Sequence, residues 1–248
     1  DTQDGDDEPI EYAVANPGER IVIWKATGAD DRYVRISCTG GPLEFQTAGQ
    51  TIGHAGTAKC ICVAASDANE AYPDAFDATS ANEDSSSDGP HRMFYNPDGS
   101  PITPGNLLAA TGGGVVVQTP AITGADGGVS SLPSGGLNPF YGTSAAAPHC
   151  AAIAALVKSK TPSLTNTEIR TILETSTIDI EDPGYDNNAG HGILMPELAL
   201  VAISSPEELW RKANFNTYLP AGNAAPLADP EMDNLNNRLE FAFGTDPN

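Results

Sequence analysis

The sequence predicts an α/β fold, with part of a parallel sheet and helices on both sides of it, and three observations predict it. Lys59–Ala65, KCICVAA, is a continuous apolar run led by a lysine, which suits a strand buried on both faces. From Pro148 to about Lys160 an alanine-rich stretch sets Cys150, Ile153, Ala154 and Val157 on one helical face. Between them, residues 66–140 are rich in Gly, Pro, Ser and Asp and read as long loops around short strands, with Gly114–Gln118 the clearest. A loop-rich stretch of that length inside a compact domain is more often functional than idle.

The remaining elements follow in chain order. Residues 1–8, DTQDGDDE, form an acidic surface segment, mobile or cation-binding. Ile10–Val14, Arg20–Lys25, Tyr33–Cys38 and Leu43–Gln46 have β character, and Asn16-Pro17-Gly18, Gly28–Asp31 and Gly40-Gly41-Pro42 separate them. Such runs and turns predict an antiparallel, β-rich meander at the N-terminus. After the alanine-rich helix, Thr165-Asn166-Thr167-Glu168 is a capping box opening a helix to about Thr175. Pro196 opens a short apolar helix to about Ile203, and Glu207–Ala213 forms another. Composition changes near residue 205, so three segments are expected: 1–48, 49–204 and a small C-terminal module, 205–248. No internal repeat is evident.

With 12 Lys and Arg against 33 Asp and Glu, the 248-residue chain carries a formal charge of −21. That charge excludes a nucleic-acid or anionic-membrane partner and fits a secreted or surface protein that holds cations. No apolar run is long enough to span a membrane. The chain opens on Asp1 with no basic, apolar leader, as expected of a processed precursor or a piece of a longer chain. Cys60 and Cys62 read as small core residues with the wrong spacing for zinc, and no disulfide among the four cysteines is assigned from sequence.

Chemistry concentrates around Ser144. A serine nucleophile needs exposure, a base, and donors for the oxyanion. Gly142 allows close approach, Thr143 is placed to cap the following helix, and Ser144 falls at that helix's N-terminus, where free N–H groups favour negative charge. Residues 141–157, YGTSAAAPHCAAIAALV, resemble the nucleophile segment of subtilisin-like serine peptidases, the subtilases. Similar to that family, too, are KCICVAASD (59–67), the turn Ser85–Pro90, the stretch Pro101–Pro120 and the turn Ala189–Leu194. Residues 50–203 thus resemble the C-terminal half of a subtilase catalytic domain. The resemblance implies a subtilisin-like three-layer fold, peptide-bond hydrolysis through an acyl-enzyme on Ser144, and protein or peptide substrates. It also implies that the N-terminal, β-rich meander is an insertion.

The family's other catalytic contexts, Asp-Ser/Thr-Gly and His-Gly-Thr-x-Val-Ala, are absent, as is its oxyanion Asn in a Gly-Asn pair. His54, in HAGTA, carries an extra residue before Gly-Thr and reads as a loop histidine. His149 reads as structural, and His91 and His191 sit in loop and turn contexts. The N-terminal half of the catalytic domain is therefore the expected partner, and this chain alone is expected to be inactive. A competing expectation is a non-catalytic surface or binding protein that retains the scaffold.

At the C-terminus, ADPEMDNLNNRLEFAFGTDPN resembles thrombospondin type-3-like calcium segments of bacterial surface proteins. Oxygen ligands alternating before a helical Glu suit a hard cation, so Asp229, Asp233, Asn237 and Glu240 are candidate calcium ligands, with Glu231 standing where the pattern has Asp. Metal-free, the same residues make a capping turn and helix, with Trp210, Phe215 and Phe241 as an apolar cluster. A calcium-dependent adhesion module is a third expectation.

Overall fold

A computed structural model describes residues 13–28, 34–38, 43–133 and 137–247. The acidic segment 1–8 lies outside the described residues. The chain divides into two compact units, Asp1–Arg35 and Ile36–Asn248. In the first, a turn at Asn16–Glu19 closes through Glu19 N–H to the Asn16 carbonyl at 3.0 Å.

The β-rich insertion is corrected where the structure describes it; residues 10–12 and 33 of the expected strands lie outside the described residues. No strand forms among the described residues of 13–48. A strand needs a partner and a cover for its apolar side, yet Val22 and Trp24 are 77% and 84% exposed. Ile36 and Phe45 are exposed as well.

The second unit holds strands β1 Val63–Asp67, β2 His91–Met93, β3 Val115–Val117, β4 Ile122–Asp126, β5 Thr177–Ile178 and β6 Ile193–Leu194. Its helices are α1 Ala68–Ala71, α2 Thr143–Lys160, α3 Asn166–Thr175, α4 Pro196–Ala202, α5 Pro206–Phe215 and α6 Asn237–Phe243. One sheet runs β1-β4-β6-β5, parallel except for β5, and a small antiparallel ribbon pairs β2 with β3. Mixed helices on a mostly parallel sheet make this an α/β fold. Among the described residues no helix is long and apolar enough to cross a membrane.

The strand anticipated over Lys59–Ala65 starts and ends later, at Val63–Asp67. Residues 57–60 form a turn instead, with Cys60 N–H on the Thr57 carbonyl at 3.1 Å. Cys62 is buried and Cys60 half-buried, and no disulfide joins the cysteines. The helix start is also corrected. It begins at Thr143, so Pro148 lies inside α2 rather than in its first turn. Lacking an N–H, Pro148 leaves the Ser144 carbonyl without its helical donor.

Strand β4 holds the sheet together, pairing with β1 along its whole length and with β6 at Thr123. Helix α2 lies directly on it. At Gly124 an added Cβ would stand 2.7 Å from both the Ala146 carbonyl oxygen and Cys150 Sγ. Around this contact Ile122, Cys150, Leu173 and Leu194 form the buried core, with Ile153 and Ala154 of α2 packed against it. The face anticipated for this helix therefore forms.

The anticipated capping box Thr165–Glu168 opens α3, and a second one that the sequence reading did not single out, Ser205–Glu208, opens α5. Trp210 meets Phe215 and Phe241 edge-on at 5.9 Å each, so the small aromatic cluster forms. Lys160 at the end of α2 pairs with Glu208 of α5.

Gly124→Val should destabilise the chain by about 3 kcal/mol or more, because the obstacles are backbone and a packed sulfur; urea denaturation checks this. The Lys160 ammonium and the Ser205 N–H hold the Glu208 carboxyl below its usual range. A depressed carboxyl contributes stability above its unfolded pKa that is lost as pH falls through the folded one. Glu208→Gln should therefore cost about 1 kcal/mol at neutral pH, and the difference from the parent should shrink as pH drops below the ordinary glutamate range.

Candidate active site

Ser144 is exposed and is the second residue of α2. Being in the first turn, the N–H groups of Thr143 and Ser144 have no acceptor within their own helix, and they supply the positive end of its dipole. The expected cap is corrected: Thr143 is already helical, and the N-cap is Gly142, with φ 90° and ψ 173°. That left-handed φ demands glycine. The Gly142 carbonyl receives Ala145 N–H at 2.8 Å and Ala146 N–H at 3.2 Å.

Three contacts hold the chain that leads into Ser144. The Gly142 N–H donates to the Asp126 carboxylate at the end of β4. Asp126 is fully buried, and its second oxygen, Oδ1, has no hydrogen-bond partner. Phe140 exchanges backbone bonds with Gly127 and Gly128, each 2.9 Å, closing the loop that leaves β4. Asn69 Nδ2 donates to the Gly127 carbonyl at 2.6 Å and to Tyr141 Oη at 3.2 Å. Asn69 is placed by Asp67, whose Oδ1 accepts its N–H at 2.7 Å.

Asp67 and Asp126 are register partners at the C-terminal ends of neighbouring parallel strands. Open α/β sheets place their sites at that end. Burial pushes the nearby Glu83 carboxyl up, with Asp126, Asp67, Glu70 and Asp84 adding to the rise. The Ser144 loop thus stands over an acidic strand end, held by backbone donors.

Among the described residues no hydrogen bond joins Ser144 to a histidine or a carboxylate. His149 Nδ1 bonds the Ala125 carbonyl and ties α2 to β4, which is structural. His54 is exposed in the 3-10 turn Gly53–Gly56. His91 packs against that turn, where a Cβ on Gly56 would lie 2.6 Å from its ring. His191 meets Tyr185 edge-on at 5.4 Å and bonds the Ala121 carbonyl through its N–H.

At the C-terminus, carboxylate oxygens of Asp229 and Asp233 come together with one from Glu231, all within 4.8 Å of one another. Glu240 is fully buried and lies against Glu231, while Asn237 is 2% exposed. Glu231 was passed over in sequence as a replacement for Asp; its signal was the every-second-residue spacing with Asp229 and Asp233. Asp126 and Asn69 were missed too. Only tertiary contact reveals them, since neither lies within ten residues of Ser144.

Comparison with known proteins gives a consistent picture. A family model described as "Subtilase family" matches residues 4–192. Alkaline elastase YaB of Bacillus sp. (strain YaB) is 36% identical over 88 residues, covering 36% of this chain and 21% of the relative. Fervidolysin of Fervidobacterium pennivorans is 32% identical over 101 residues, covering 35% and 14%. Minor extracellular protease Epr of Bacillus subtilis (strain 168) is 35% identical over 90 residues, covering 34% and 14%. The match thus spans about a fifth or less of each relative. Among solved structures, subtilisin-like protease Apa1 of Pseudoalteromonas sp. AS-11 aligns at 33% identity and a TM-score of 0.24, covering 24% of this chain and 14% of that one. The fervidolysin structure aligns at 22% identity and a TM-score of 0.34, covering 62% and 22%.

Asp126→Ala should cost about 1–3 kcal/mol, the penalty for a buried N–H left without an acceptor. Asp126→Asn, whose amide oxygen can still accept from Gly142, should cost clearly less. Equal losses in urea denaturation would show that Asp126 supplies something other than this bond.

Proposed function

Since this chain belongs to the subtilase family, we propose that it carries the nucleophile-bearing part of a serine endopeptidase, with Ser144 as the attacking residue. The observation that carries the proposal is Ser144's position, exposed in the first turn of α2 with that turn's N–H groups free of helical acceptors. There the Ser144 hydroxyl attacks the scissile carbonyl, a histidine takes its proton, and the Ser144 N–H stabilises the oxyanion. The histidine returns its proton to the leaving amine as the C–N bond breaks and the first product departs, and water then hydrolyses the acyl-enzyme on Oγ, releasing the second.

In this reading the histidine, its orienting carboxylate and the oxyanion Asn belong to the other half of the catalytic domain, outside this sequence. The outer face of α2 supports that division. Ala147, Ala151, Ala152, Ala155 and Leu156 are exposed, although the helix is apolar around most of its circumference. Helices of that composition are normally covered on all sides. Substrates would be proteins or peptides acted on outside the cell, in line with the extracellular protease among the relatives.

A second reading keeps the scaffold without the reaction, as a surface or binding protein. The observation in its favour is that, among the described residues, no base is hydrogen-bonded to Ser144. A fluorophosphonate probe separates the two when applied to the full-length protein. Labelling should occur and should be lost in Ser144→Ala, with kcat falling at least about 10³-fold and KM retained. Labelling that persists in Ser144→Ala rejects the nucleophile assignment. No labelling of the parent protein favours the second reading.

A further inference from the structure

We propose that Asp126 is a positioning residue for the Ser144 site, holding the peptide unit between Tyr141 and Gly142 with its N–H inward and its carbonyl outward. This role rests on the reading of Ser144 as the nucleophile, and it belongs to a residue outside the nucleophile segment.

Hydrogen bonding singles out that peptide unit. On its N-terminal side the Phe140 carbonyl accepts from Gly127 N–H, and Phe140 N–H donates to the Gly128 carbonyl, each at 2.9 Å. On its C-terminal side the Gly142 carbonyl receives Ala145 N–H at 2.8 Å and Ala146 N–H at 3.2 Å. The neighbouring units are thus clamped by main-chain bonds. The unit between them has a different partner, the Asp126 carboxylate, which accepts the Gly142 N–H.

A peptide unit held between two clamps still has two orientations. Rotating it reverses the φ that follows and leaves the flanking units in place, which is the relation between type I and type II turns. Gly142 has φ 90° and ψ 173°. The same ψ with a negative φ is the ordinary extended conformation of an N-cap residue. Glycine takes either sign about equally well. Space does not decide either, since a Cβ on Gly142 would meet no atom within 4 Å. Asp126 makes the choice: its carboxylate attracts the N–H and repels the carbonyl oxygen that rotation would bring there.

Burial points to the same role. Asp126 is fully buried, and the Gly142 N–H is the one hydrogen-bond partner of its side chain among the described residues. A buried carboxylate with a single donor is a costly way to fill space, and an apolar side chain fills it more cheaply. The bond, rather than packing, accounts for an acid here. Its consequence lies on the surface. The peptide unit is trans, so an inward N–H sets the Tyr141 carbonyl outward. That carbonyl accepts no hydrogen bond among the described residues, and Tyr141 is exposed. The chain entering Ser144 therefore offers an acceptor to a substrate's main chain, where the rotated unit would offer a donor.

The test compares the full-length protein and its variants on a fluorogenic peptide and on a fluorophosphonate, which reaches Ser144 without a peptide main chain. Asp126→Ala should lower kcat/KM for the peptide at least about tenfold, with fluorophosphonate labelling kept within about threefold. Asp126→Asn, which keeps an acceptor, should stay within about threefold of the parent in both. Gly142→Ala leaves the carboxylate in place but disfavours the positive φ, and it should lose as much as Asp126→Ala. The double variant should lose no more than either single one, because both remove the same orientation. Additive losses overturn the proposal. So does a lower melting temperature in Asp126→Ala with kcat/KM unchanged, the mark of a merely structural residue. If Asp126→Ala does not fold, Gly142→Ala with parental kcat/KM overturns it, as does Asp126→Asn more than tenfold below the parent. These outcomes, with the parent labelled at Ser144, leave the peptidase reading standing. A parent protein that does not label overturns that reading and this role with it.

Discussion

The seating of α2 on β4 is the contact on which the rest of the structure depends. It is possible only because residue 124 has no side chain, with the Ala146 carbonyl and Cys150 Sγ occupying the space a Cβ would need. Once seated, the helix is fixed at several heights. His149 reaches the Ala125 carbonyl, Cys150 enters the core with Ile122, and Asp126 at the strand end takes the Gly142 N–H. Lys160 extends the connection to α5 through Glu208. The first turn of α2, and Ser144 with it, is therefore positioned by the strand beneath it.

What the sequence made legible was whatever is encoded locally. The nucleophile segment is short, contiguous and built of small residues, so it stands out without reference to the rest of the chain. Capping boxes are local as well, and Thr165–Glu168 was found on pattern alone. Strand β4, reading ITGAD, escaped for the opposite reason. It has neither alternation nor a run of branched residues, and its burial comes from β1, β6 and α2, which are distant in sequence. Pro148 misled in a different way. Proline is common in a first turn, but here the helix tolerates it one turn further in, at an exposed position.

The apolar run Ile21–Trp24 misled too, because β character in a short run says nothing about what covers it. Val22 and Trp24 remain exposed. The same distinction separates the parts of the candidate site. Ser144 could be read from its neighbours in sequence. Asp126 and Asn69, which hold its loop, could not, since their relevance lies in carbonyls and N–H groups that only the fold brings near.

Two buried acidic groupings show how burial is tolerated in a chain with 33 Asp and Glu residues. At the ends of β1 and β4, backbone donors do most of the work: Asp67 accepts from Asn69 and Asp126 accepts from Gly142. A hydrogen bond from an N–H group offsets part of the cost of burying a carboxylate oxygen. Around α6 the balance differs, for Glu231 and Glu240 receive no donor at all, and the nearby amide has turned its own donors elsewhere. Desolvated acceptors that face one another are unfavourable unless something positive stands between them. The first grouping is anchored by backbone donors although Asp126 Oδ1 receives none, whereas Glu231 and Glu240 receive none at either oxygen, a difference that acidic composition alone could not have told.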